Sequence, residues 1–154
     1  MFSPRLTCNY LRMPLGPMGM VALSVGNGFR LPGSLNTSTM GISIDWRGLF
    51  AIYIACYLWD PSWSGKHIFM WCDNLPVVSI INSKRLKSPR IIDLVRAITI
   101  LTLEHNFSFT ARHIPGLDNS IADSLSRFQM GRFRHLAPNA SPSPCVIPPS
   151  ATSI

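Results

Sequence analysis

From residue 19 onward, apolar and polar positions resolve into short elements. Residues 19–25 (GMVALSV) form an apolar run of strand length, Gly26-Asn27-Gly28 marks a turn, and Phe29 opens a second strand. The pair reads as a hairpin. Residues 33–39 are a Ser/Thr/Asn loop, and Ile42 and Ile44 flank Ser43 in the alternation of a short strand. Asp45 is placed to cap a helix from Trp46 to about Leu58, which Asp60-Pro61 should stop. Lys66–Asp73 (KHIFMWCD) is short and apolar, as expected of a buried central strand, with Phe69 and Trp71 as core residues. Asn74 begins a turn into a short helix ending near Ser83. Ser88-Pro89 signals a helix start, and Ile91, Leu94, Val95, Ile98 and Leu101 follow at helical spacing to about His105. Phe107–His113 alternates like a strand, Pro115-Gly116 turns the chain, and Asp118 or Asn119 caps a last helix to about Phe128.

This order predicts an α/β layered domain with a mixed sheet. Residues 1–18 lack periodicity and read as an irregular segment, residues 19–130 as the folded domain, and residues 131–154 as a linker. Pro and Ser dominate from Pro138, so that tail is expected to be largely disordered.

Composition narrows the partners. Of 154 residues, 47% are apolar, enough for a core, and only 14% are charged, against about 25% in an ordinary soluble domain. The net charge of +7 favours an anionic partner, nucleic acid before an acidic membrane surface. The longest apolar run, Leu49–Trp59, is shorter than the roughly 20 residues that span a bilayer, and no clean signal peptide opens the chain. An intracellular protein, in cytoplasm or nucleus, is expected. Cys8, Cys56, Cys72 and Cys145 form no CxxC pair and no zinc-finger spacing with His, so a structural zinc site is not expected.

The seven acids are Asp45, Asp60, Asp73, Asp93, Glu104, Asp118 and Asp123. Asp73 ends the buried strand, where ligands commonly approach α/β sheets. Asp123 lies early in the last helix, where a solvent-facing acid at a helix N-terminus is the plainer reading. The basic stretch Lys84, Arg85, Lys87 and Arg90, with Arg112 and Arg127, is the candidate phosphate-contacting surface, against an ordinary solvated charge run.

Four segments add a family resemblance. WCDNLPVVSIIN, KSPRIIDLVR, HNFSFTARHIPGLDNSIADSLSRF and RFRHLAP occur in order from Trp71 to Pro138. They resemble the ribonuclease H region of tyrosine-recombinase (DIRS-type) retrotransposons, and a weaker match through IDWRGLFAIYIACYLW and WSGK extends the resemblance to residues 12–138. It implies a ribonuclease H-like three-layer fold, a mixed central sheet flanked by helices, with a degraded N-terminal strand. It also implies an enzyme that hydrolyses the RNA strand of an RNA–DNA hybrid with two Mg2+ ions held by four carboxylates. Its partners would be the hybrid and the reverse transcriptase and recombinase domains of a parent polyprotein, with no membrane.

Carried over residue by residue, Asp73 matches the third family acid, Asp123 the fourth, and Asn119 the family's Asn at the start of the last helix. The second acid, a Glu in the first long helix, falls on Gly48, and the first falls on Met13. Asp45, about one helical turn from Gly48, is a possible stand-in, Asp118 a weak outer neighbour of Asp123, and His113 structural. Two of four ligands are thus replaced, and inefficient catalysis is expected. The alternatives are a nucleic-acid-binding module that does not cut, or a decayed fragment without selected function.

Overall fold

The computed structural model describes residues 7–12, 20–24, 27–31, 44–83 and 88–153. Five strands, β1 (Thr7–Arg12), β2 (Met20–Ser24), β3 (Asn27–Leu31), β4 (His67–Cys72) and β5 (Ser108–His113), join in one mixed sheet of order β3-β2-β1-β4-β5. The expected hairpin is β2–β3, antiparallel from Met20 opposite Leu31 to Ser24 opposite Asn27, so Asn27 belongs to the strand rather than the turn. β1 pairs antiparallel with β2 and parallel with β4, and β4 pairs parallel with β5. β1 falls inside the segment expected to be irregular. Ladders on both of its edges define it, with Leu11 opposite Ala22 on one side and Cys72 on the other. Such pairing needs no apolar alternation in TCNYLR. The expected loop at 33–39, the residues Ile42 and Ser43 of the expected short strand, and Met13 lie outside the described residues, while Ile44, expected in that strand, instead opens a helix.

Helix α1 (Ile44–Trp63) buries every residue from Leu49 to Cys56. A helix apolar on all sides belongs inside the domain, and α1 lies against α3 as well as β1 and β2. Two expectations at its ends are corrected. Asp45 lies within the first turn rather than ahead of it, and the helix runs through Pro61. Proline removes one helical hydrogen bond, but the last turn is secured otherwise. Trp63 is buried, with its ring edge-on to Phe107 at 5.4 Å. The Lys66 amide donates to the Trp63 carbonyl at 2.9 Å, and Lys66 Nζ to the Ser62 carbonyl at 2.7 Å. Gly65 then turns the chain at φ +72°, a left-handed conformation that favours glycine, and its N–H reaches the Asn106 carbonyl at 2.7 Å.

Helices α2 (Leu75–Ser83) and α3 (Pro89–Glu104) complete this layer. Asn74 caps α2, its Oδ1 accepting the Val77 N–H at 3.0 Å. Ser88 holds the cap position of α3 with extended backbone, but its side chain makes no cap hydrogen bond. Ile91, Leu94 and Ile98 of α3 belong to the same buried core cluster as Ile68, Met70 and Cys72 of β4.

Helix α4 (Ser120–Ser126) follows a 3-10 turn at Gly116–Asp118. Both α1 and α4 pack on β1 and β2, and among the described residues they make no substantial contact with each other. They therefore occupy opposite faces of the sheet. Ala122 of α4 and Phe133 of α5 (Met130–Leu136) are buried apart from the main core.

The segment expected to be a disordered linker instead carries α5 and a 3-10 turn at Pro149–Thr152. Arg134 donates to the carbonyls of Ala140, Ser141 and Pro142 at 2.9–3.0 Å. Ala151 is fully buried, Cys145 and Ile147 pack against the core, and the Tyr57 and Ser150 hydroxyls are 2.9 Å apart. A few apolar anchors thus hold a proline-rich path that its composition alone marks as unstructured. No helix among the described residues is long and apolar enough to cross a membrane.

Candidate site at Asp73 and Asp123

The strand β4 ends at Cys72, and Asp73 is the next residue, half-buried at the C-terminal end of an interior parallel strand. Local hydrogen bonds fix this corner. Ile114 donates to the Cys72 carbonyl at 3.0 Å, the Asn74 amide reaches Cys72 Sγ at 3.4 Å, and Asn74 caps α2. Burial pushes the Cys72 thiol up to about 12, the Asn74 amide lowers it in part, and the charge of Asp73 raises it further. Cys72 stays protonated at neutral pH, so it supplies neither nucleophile nor thiolate ligand.

Asp123 sits in the first turn of α4. Because α4 packs on β1, and β1 lies beside β4, the two acids stand on elements that border the same strand. The Asp123 carboxylate is engaged by arginines: Arg127 Nε donates to Oδ1 at 2.7 Å, and Arg132 Nη1 is 3.7 Å from Oδ2. The first pair follows from helical spacing, an acid four residues before an arginine. Arg132 comes from α5, an element the hydrophobic pattern does not announce, and sequence reasoning missed it.

The end of α4 helps set this geometry. Arg127 is its C-cap, Phe128 follows at φ +56°, and Gln129 and Phe128 donate back to Ser124 and Leu125 at 2.8 and 3.2 Å. These are the two bonds of a Schellman motif. The turn leads directly into α5, which carries Arg132.

Asn119 caps α4 by position but not by hydrogen bond. It is fully buried, and neither Oδ1 nor Nδ2 has a partner among the described residues. Buried amides are normally satisfied, so an amide without a protein partner in this position carries an energetic cost.

The other predicted site residues are dispersed. Gly48 is buried within α1, where it brings no ligand, and Asp45 is half-buried one turn earlier. Asp118 is exposed in the 3-10 turn, and His113 is exposed at the end of β5, opposite Cys72. Arg90 is exposed on the first turn of α3. Arg112 lies on β5 with its guanidinium 4.3 Å from the Phe69 ring centre. Arg127 serves Asp123. Lys84, Arg85 and Lys87 lie outside the described residues, so the expected basic surface is represented here by arginines on three separate elements.

Among the described residues, no three of His, Cys, Asp and Glu converge to hold a metal. Two Mg2+ ions demand several hard oxygen ligands. Gly48 offers none, and Asp123 would have to exchange its arginines for a cation. The described donor set therefore does not fit a two-magnesium centre. No family profile and no curated protein matches this chain.

Proposed function

We propose that the chain is a ribonuclease H-like domain of retrotransposon origin that holds nucleic acid and cuts it poorly or not at all. The ordered motifs from Trp71 to Pro138 support the ancestry. A mixed sheet with helices on both faces, an acid at the end of β4 and a second acid in α4 agree with it. The observation that carries the functional reading is the Asp123 carboxylate, held 2.7 Å from Arg127 and approached by Arg132. A carboxylate clamped between guanidinium groups is built to organise positive charge rather than a pair of cations, and organised arginines contact phosphates. The partner on this reading is an RNA–DNA hybrid, met in cytoplasm or nucleus alongside the reverse transcriptase and recombinase of a parent polyprotein.

The test is a labelled hybrid incubated with Mg2+ or Mn2+, with Asp73→Asn as control. Binding that weakens steeply with salt, and cleavage no faster than the control, is the expected result. Losing even one ligand of a two-metal centre costs orders of magnitude in rate. Robust cutting abolished by Asp73→Asn would overturn the non-cutting reading, and absence of binding would overturn the nucleic-acid reading.

A further inference from the structure

The two faces of the β4–β5 pair differ in chemistry. Ile68, Met70, Cys72 and Ala111 are buried on the face toward the main core. On the other face the register sets His67 opposite Ser108, Phe69 opposite Thr110, and Trp71 opposite Arg112. All six of these side chains keep solvent exposure. Phe69 and Trp71, expected as core residues, therefore lie on the face away from the main core and keep partial exposure.

This face is ordered and partly exposed, most of all at Ser108 and Arg112. The His67 ring is held at both nitrogens, Nδ1 2.7 Å from Ser108 Oγ and Nε2 3.0 Å from Thr110 Oγ1. It meets Phe69 edge-on at 5.1 Å. The Arg112 guanidinium lies 4.3 Å from the centre of Phe69 and 5.8 Å from that of Trp71. A guanidinium seated on a ring is a flat cationic surface with N–H donors at its rim. No acid occurs on either strand, in a chain of net charge +7.

We propose that this face binds a single strand of nucleic acid, with bases stacking on Trp71 and on the Arg112–Phe69 tier while Arg112 meets the phosphates. A duplex hides its base faces, whereas an unpaired strand presents them. The ring surface is interrupted by Arg112, His67 and Ser108, which suits flat bases on a polyanion better than an apolar protein surface. The inference goes beyond the function proposed above, because it is carried by a sheet face and not by Asp73 or Asp123.

The test uses the full chain in EDTA with a fluorescent 15-nucleotide oligothymidylate, read by anisotropy. Arg112→Ala and Trp71→Leu should each weaken binding about tenfold, the loss typical of one stacking platform. Arg112→Lys keeps the charge and should still weaken binding several-fold. Near-ultraviolet circular dichroism checks the fold. Arg112 is exposed, so its variants stay informative if Trp71→Leu is unstable. Photocrosslinking with 5-bromodeoxyuridine should label the peptide that contains Trp71. Loss of oligothymidylate binding with hybrid binding retained supports a separate surface. Unchanged affinity in the Arg112 variants, a crosslink mapped elsewhere, or no binding by the parent chain overturns the inference, and hybrid binding measured in parallel shows whether the proposed function stands regardless.

Discussion

Asn119 presents the sharpest energetic question among single residues. Its amide is fully buried, and both polar atoms lack partners among the described residues. A group in that state costs about 1–3 kcal/mol. Replacing it with leucine, similar in volume and without polar atoms, should raise unfolding stability in urea by roughly 1–2 kcal/mol. If the amide is kept for contact with nucleic acid, the same variant should lose hybrid affinity, the usual trade between stability and a functional polar group. A variant that is less stable would show that the amide has a structural partner in solution. Residue-level legibility was uneven. Asp73 was marked by its place at the end of an apolar strand, whereas Asp123 was singled out by the family resemblance alone. The outward direction of Phe69 and Trp71 was not legible, because in a strand of aromatic and apolar residues the parity facing the core is set by what packs on it. Arg132 was hidden because its helix was.

At the scale of elements, β5 is an edge strand and has a guard. The exposed Asn82 at the end of α2 donates from Nδ2 to the Ala111 carbonyl at 2.8 Å and accepts the Ala111 N–H on Oδ1 at 3.1 Å. One side-chain amide thus occupies the N–H and C=O of Ala111, at the middle of the edge where an added strand would pair. Asn82→Ala should cost about 1–2 kcal/mol and shift the protein toward dimers or larger species in size-exclusion chromatography. A monomer of unchanged stability would count against the guard.

A second element-level feature ties the end of α1 to the end of α3. Buried Asp60 lies 3.2 Å from His105 Nε2. Burial raises the Asp60 carboxyl above its ordinary value of 3.8, His105 opposes the rise, and Glu104 adds to it. A folded-state pKa raised above the unfolded one gives stability that is present at low pH and lost as pH climbs through the raised value. Asp60→Asn should therefore match the parent chain in melting temperature near pH 3.5 and gain on it progressively toward pH 7. A constant offset across that range would contradict the assignment. Helix α3 and strand β5 were readable from their periodicity, and β4 and the β2–β3 hairpin from short apolar runs bounded by turn signals. β1 was not, since ladders on both edges define it. Helix α5 was not either, being seven residues long and containing Gly131.

For the molecule as a whole, the open question of composition was how a proline- and serine-rich end behaves. It is pinned through Arg134, Ser150, Ile147 and Ala151. Deleting residues 140–154 should lower stability on the order of 2 kcal/mol, the scale of uncovering a few apolar side chains, seen as an earlier urea midpoint. An unchanged midpoint would mean the anchors contribute nothing. The layered α/β class followed from the order of patterned segments. The sheet's internal order did not, because pairing between distant strands leaves no local trace in either one.

That order has a consequence for how the chain is made. β1 sits mid-sheet, and its parallel partner arrives late, with Cys8 waiting for Met70. Such long-range closure is slow to form. During synthesis the β1–β2–β3 meander emerges with the β1 edge unpaired until β4 leaves the ribosome. A message truncated between those strands would yield a sticky three-stranded fragment rather than a smaller version of the fold.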